Sequence, residues 1–226
     1  MIRKILTGTA VLAVFLACGT EESTPSASSE AGTTAGTGDA RPVVLFLGTS
    51  LTAGYGLSVD KAYPSLIQQK IDSAGLGFRV VNAGESGGTS AGGVRRIGWL
   101  LRQPVATLVL ELGANDGLRG QDVTNLKRNL QTIIDTTLAA YPEAEIVIAG
   151  MEAPPNLGRL YTAEFRRVFQ ELARENKAEL IPFLLEGVAG VPELNQADGI
   201  HPTAAGQRLI AETVWHVLDP LLHEIR

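Results

Sequence analysis

Among the 226 residues of this chain, one serine, one histidine and one nearby carboxylate are of the types and in the settings that nucleophilic catalysis requires. Ser50 follows the apolar run Val43 to Leu47 in a Gly48-Thr-Ser-Leu turn, so its hydroxyl is carried to the end of a strand, where ligands collect in open parallel sheets. Thr49 and Ser50 are equally good turn caps, and this segment alone leaves both readings open. Near the other end, Asp198-Gly-Ile-His-Pro202 sets a carboxylate three residues before His201. It can curl back to Nδ1 and fix the tautomer, leaving Nε2 free to take the Ser50 proton. A lone His before Pro also suits a surface turn. Asn115, in Gly113-Ala-Asn-Asp-Gly, can donate a side-chain N–H to a developing oxyanion, beside backbone donors from Ser50 and from the glycine-rich stretch Asn82 to Gly93. One such donor is worth about 3 kcal/mol in a transition state. Asn, Asp and Gly are ordinary turn formers too, so partners must decide.

A rival sits in the same chain. Gly84-Glu-Ser-Gly-Gly88 fits the G-x-S-x-G nucleophile elbow and would make Ser86 the nucleophile. Against it, an elbow is followed at once by a helix, and four glycines between 87 and 93 make a poor first turn. His216 and His223 read as solvated or structural, and three histidines with one cysteine show no zinc-type clustering. No metal and no organic cofactor is expected.

The elements that must position these residues alternate strictly. Apolar strand patterns recur at 43–48, 79–83, 106–112, 145–150 and, more weakly, 179–183. Helical spacing lies between them at 60–74, 90–101, 122–140 and 161–176, with a last helix at 203–222 that Pro220 is expected to end. Such an order implies a parallel sheet of about five strands in a three-layer α/β/α sandwich, with its site on the loops after the strands. Those loops, 48–56, 84–93, 113–120, 151–159 and 186–201, are the segments of unusual composition. From 151–160 and 186–196, Met151, Pro154, Pro155, Leu157, Tyr161, Val188 and Val191 are candidates for apolar pocket walls or for ordinary packing.

Before residue 42 the chain is of another kind. Arg3 and Lys4 precede an apolar stretch from Ile5 to Ala17, shorter than a membrane span and suited to export. The ending Phe15-Leu-Ala-Cys18 resembles a bacterial lipobox, with Cys18 as the lipidated residue, although Phe15 stands where Leu is preferred. Ordinary signal cleavage near Ala17 is the alternative. Residues 1–18 are thus read as a signal peptide, 19–41 as a flexible low-complexity linker, and 42–226 as one domain. The protein is expected in the bacterial cell envelope, as a periplasmic or outer-membrane lipoprotein held to the membrane by a lipid anchor only. A net charge of −5 with no basic run argues against nucleic acid as a partner, and none is expected. Nothing in the sequence sets an oligomeric state.

Taken together, the blocks GTSL, NAGESGG, GAND and DGIHP, in that order, resemble the SGNH, or GDSL, hydrolase family. LGTSLTAGYGL, GANDGLRG and DGIHP are most similar to its bacterial acyl-CoA thioesterase I, lysophospholipase and arylesterase group, over nearly all of 43–220. The resemblance implies a flavodoxin-like fold and a serine esterase or thioesterase acting on small-molecule or lipid acyl esters through an acyl-serine intermediate. It implies Ser50 as nucleophile, His201 as base, Asp198 as its orienter, and the Ser50 N–H, the Gly87 N–H and Asn115 as oxyanion donors, with Gly84 and Gly88 as alternatives to Gly87. Thr49 departs from the family, which places an Asp there. A carbohydrate O-acetylesterase of the envelope and a non-catalytic, surface-tethered binding module are the competing readings.

Overall fold

The computed structural model describes residues 39–225. The expected signal peptide at 1–18 with Cys18, and residues 19–38 of the expected linker, lie outside the described residues. At 39–41 the chain already touches the domain: Arg41 pairs with Asp39 (2.6 Å) and donates to the Phe78 carbonyl (3.2 Å).

Strand β1 (Val43–Gly48) is buried along its whole length, as its two-sided apolar run requires. Burying each of its large side chains contributes roughly 1.5–3 kcal/mol. It lies between β2 (Arg79–Gly84) and β3 (Val105–Glu111), and β4 (Glu145–Ala149) and β5 (Glu179–Ile181) complete an all-parallel sheet of order β2-β1-β3-β4-β5. This is the flavodoxin-like order. Its helices are α1 (Ser50–Ala53), α2 (Tyr63–Ser73), α3 (Ser90–Leu100), α4 (Ala114–Leu118), α5 (Val123–Ala140), α6 (Arg159–Asn176) and α7 (Ala204–Glu224).

The β1-to-β2 crossover runs one way along the sheet and the later crossovers run the other. Right-handed connections therefore put α2 on one face and α3, α5 and α6 on the opposite one. α2 packs with α7, while α3 packs with α5 and α5 with α6, which makes the three layers. The direction reverses between β1 and β3, so the crevice beyond their carboxyl ends is where a ligand site belongs.

The expected element ends hold within a few residues, with two differences in kind. The last helix does not stop at Pro220 but continues to Glu224. Proline removes only one helical hydrogen bond there, and buried Leu221 and Leu222 keep the final turn packed. Two segments expected as loops contain the short helices α1 and α4, whose four and five residues are too few to show a helical period.

Candidate active site

Ser50 opens α1, immediately past the end of β1. Thr49 is the cap of that helix, its Oγ1 accepting from the Leu51 N–H at 3.3 Å, so capping falls to Thr49 and leaves the Ser50 hydroxyl unused by the backbone. His201 Nε2 lies 2.9 Å from Ser50 Oγ, and His201 Nδ1 lies 2.6 Å from Asp198 Oδ2. The other Asp198 oxygen accepts the backbone N–H groups of Ile200 and His201, each at 3.0 Å. The hydrogen bond from His201, with those two backbone donors, lowers the Asp198 carboxyl from 3.8 to about 2. An ionised Asp198 accepts from Nδ1–H, so Nε2 presents its lone pair to the serine.

The loop that carries His201 is itself pinned. The Gln196 N–H donates to the His201 carbonyl at 2.7 Å, and Gln196 Nε2 donates to the carbonyls of Tyr55 (2.7 Å) and Pro202 (3.0 Å). Tyr55 also lays its ring against His201, with centroids 4.5 Å apart. Ser86 lies in an exposed turn closed by the Gly88 N–H on the Glu85 carbonyl, and His201 is given to Ser50. Of the other histidines, His216 is exposed, and His223 Nδ1 lies 2.9 Å from the Asp219 carbonyl and 3.4 Å from its carboxylate. That carboxylate was not expected from the sequence, but it serves no serine.

Beneath the serine is a group that the sequence reading passed over. Glu111, the last residue of β3, is fully buried and paired in register with Gly48. Its Oε2 accepts the N–H groups of Thr49 (2.8 Å) and Thr52 (3.3 Å) and the Thr52 hydroxyl (2.7 Å), while the Thr49 hydroxyl bonds Oε1 at 2.9 Å. Burial outweighs these donors and raises its carboxyl from 4.5 to about 7. The Tyr63 hydroxyl lies 2.7 Å from Thr52 Oγ1 and extends the chain of hydrogen bonds. A charged residue inside an otherwise apolar strand was the signal available in the sequence.

The expected oxyanion donors gather at the same end of the sheet. Asn115 Nδ2 donates to the Gly88 carbonyl at 2.9 Å, and the second hydrogen of that amide remains for a ligand. Gly87 has φ of 76°, a left-handed conformation that glycine adopts without strain, and its carbonyl accepts from Arg119 Nη2 at 3.2 Å. Buried Asp116 next to Asn115 takes the Ser90 N–H (2.9 Å) and hydroxyl (2.5 Å), locking α4 to the start of α3 and with it Asn115 to the glycine loop.

Ser50, Asn115 and His201 open onto a cavity of about 370 Å³. Met151, Pro154 and Pro155 line it as the sequence suggested; Leu157, Tyr161, Val188 and Val191 do not. Tyr161 turns along α6 towards Phe165 and donates to the Gln121 carbonyl at 2.7 Å. Leu157 lies in a short 3₁₀ turn against Gly120, and Val188 is wholly in the core. Their places are taken by Leu118, Phe183, Leu185 and Ile200, whose direction no sequence period reveals. A wider, shallower depression of about 630 Å³ between α2 and α7 holds Lys70 and Trp215 and has no nucleophile–base pair, so the chemistry points to the smaller cavity.

Residues 46–209, more than half of the chain, match the model of the GDSL-like lipase/acylhydrolase family. The chain is 42% identical over 184 residues to "Esterase TesA" of Pseudomonas aeruginosa, covering 81% of this chain and 90% of that protein. It is 39% identical over 185 residues to "Thioesterase 1/protease 1/lysophospholipase L1" of Escherichia coli, covering 81% and 86%. The crystal structure of the psychrotrophic esterase EstA from Pseudoalteromonas sp., inhibited by monoethylphosphonate, superposes with a TM-score of 0.75 at 34% identity, over 80% of this chain and 98% of that one.

Proposed function

The chain belongs to the GDSL-like lipase/acylhydrolase family and is an ester hydrolase, and on that premise we propose that Ser50, His201 and Asp198 are its nucleophile, general base and orienter, acting on acyl esters and thioesters. The observation that carries this reading is the continuous line Asp198–His201–Ser50, with contacts of 2.6 and 2.9 Å, opening onto the apolar cavity. Ser50 Oγ attacks the substrate carbonyl carbon while His201 Nε2 takes its proton. The resulting oxyanion is held by the N–H groups of Ser50 and Gly87 and by Asn115. As the intermediate collapses, His201 returns the proton to the departing alcohol or thiol, leaving an acyl-serine. A water then attacks that ester by the same route and frees the acid and the serine.

The lining of Met151, Pro154, Phe183 and Leu185 favours an acyl chain over a sugar hydroxyl array. The relatives' names, esterase, thioesterase and lysophospholipase, mark the substrate classes to try first. Initial rates on p-nitrophenyl esters from acetate to long chains, with Ser50→Ala as control, test the reading. Rates that rise beyond acetate support it. Rates that fall steadily as the chain lengthens favour a carbohydrate O-acetylesterase, and failure of a fluorophosphonate to label Ser50 favours a non-catalytic binding module. The proposal extends to export and lipid anchoring at Cys18. A mature N-terminus other than acylated Cys18 in intact-protein mass spectrometry would overturn the anchor.

A further inference from the structure

The two buried backbone N–H groups on either side of the nucleophile, those of Thr49 and Thr52, end on one oxygen, Glu111 Oε2. Left without an acceptor, each would carry the desolvation cost of an orphaned buried donor. The hydroxyls of the same two threonines reach the same carboxylate, so one group from β3 holds the turn by four hydrogen bonds. Gly48 makes the approach possible. A Cβ there would lie 2.0 Å from Thr52 Oγ1 and 2.6 Å from Glu111 Oε2. Strands buried on both faces select apolar residues, and a carboxylate at this depth is costly unless its hydrogen bonds are needed.

We propose that Glu111 is a positioning residue for the hydrolysis: its ionised carboxylate, clasped by Thr49 and Thr52, sets Ser50 Oγ at the distance and angle that His201 requires. Thr49 stands where the family signature carries an Asp, so in this chain Glu111 is the carboxylate that contacts the serine turn. Above about pH 7 the carboxyl is ionised, and the hydrogen bonds suit that form: Thr49 and Thr52 bring two N–H donors, and the Tyr63 hydroxyl can donate to Thr52 Oγ1, freeing the Thr52 hydrogen for Glu111. Tyr63, the titratable side chain linked to it, is kept neutral by burial and by the charge of Glu111.

The inference rests on Ser50 being the nucleophile, so Ser50→Ala is measured first; an active Ser50→Ala protein sinks that assignment, not the geometry of Glu111. With Ser50 established, kcat, KM and the rate of fluorophosphonate labelling of Ser50 are compared in wild type, Glu111→Gln and Thr49→Asp/Glu111→Gln. Misplacing a nucleophile by a fraction of an ångström to an ångström costs up to about a hundredfold, so Glu111→Gln is expected to lower kcat by roughly ten- to a hundredfold and labelling in proportion, with KM within about twofold. The double variant, which returns a carboxylate to the serine from the other side, is expected to recover most of that loss. A folded Glu111→Gln protein with wild-type kcat overturns the proposal, as does a folded double variant no faster than Glu111→Gln. If Glu111→Gln does not fold, Thr52→Val decides: it removes one of the four hydrogen bonds, and an unchanged kcat and labelling rate overturn the proposal.

Discussion

Asp198 reaches the site from a solvent-facing loop, whereas Glu111 reaches it from the buried end of β3. Both are carboxylates, and both collect hydrogen bonds from the chain around them. The hydrogen bond from the His201 ring and the two backbone donors push Asp198 down to about 2, while burial pushes Glu111 up to about 7 in spite of its four donors. Asp198 is therefore a charge that the fold accommodates easily, and Glu111 is one that it carries at a loss. The contrast teaches that the open arm of the site orients by charge already present, and the buried arm orients by exchanging stability for position.

The largest effect belongs to the serine on which both arms converge. Ser50→Ala is expected to lower kcat by up to on the order of a million-fold, and Ser86→Ala to keep most activity; the reverse result would make the two arms irrelevant to the chemistry. On the open arm, Asp198→Asn is expected to cost about ten-thousand-fold in kcat by disturbing the His201 tautomer, in a protein that still folds at pH 7 although it loses the stabilisation of that hydrogen-bonded charge. A collapse of stability instead would erase the distinction between the arms. Asn115→Ala, which leaves both carboxylates in place, is expected to reduce kcat by about a hundred- to a thousandfold.

On the buried arm the sharper reading is stability against pH. A carboxyl raised from 4.5 to about 7 in the folded state favours folding most below pH 4.5, and its contribution declines as pH rises towards 7 and is level above. Asp198, lowered from 3.8 to about 2, acts the other way: its contribution is present above 3.8 and lost as pH falls through 2. Urea unfolding of wild type should thus show a loss on the order of 3 kcal/mol between pH 4.5 and 8 that Glu111→Gln lacks. Parallel profiles for the two proteins would remove the contrast. The smallest effects are expected away from both arms, where Leu157→Ala and Tyr161→Phe should change chain-length preference by less than about twofold, because neither lines the cavity.

The sheet was legible because β1 is an uninterrupted apolar run and β3 and β4 are largely apolar, with turn-rich loops between, and Asp198 with His201 because the whole contact lies within three residues. Glu111 was not, since its partners Thr49 and Thr52 lie about sixty positions away and meet it only across the β1–β3 ladder. Leu157 and Tyr161 misled for a related reason. Composition marks a loop as part of a cavity wall but does not say which way each side chain points, and Tyr161 is drawn off by a backbone carbonyl. Pro220 broke a rule that tertiary packing overrides, and α1 and α4 are too short for any period to show.

Ser50 and His201 are 151 residues apart in the chain, and the ribosome makes Ser50 first. At about 5–20 residues per second, the serine exists for roughly eight to thirty seconds before its proposed base has been synthesised. During that interval it is a hydroxyl like any other. On the proposed assignment, a growing chain, or one cut short before Asp198, is inert towards the esters around it, so activity in this protein would report a polypeptide that is both synthesised past His201 and folded.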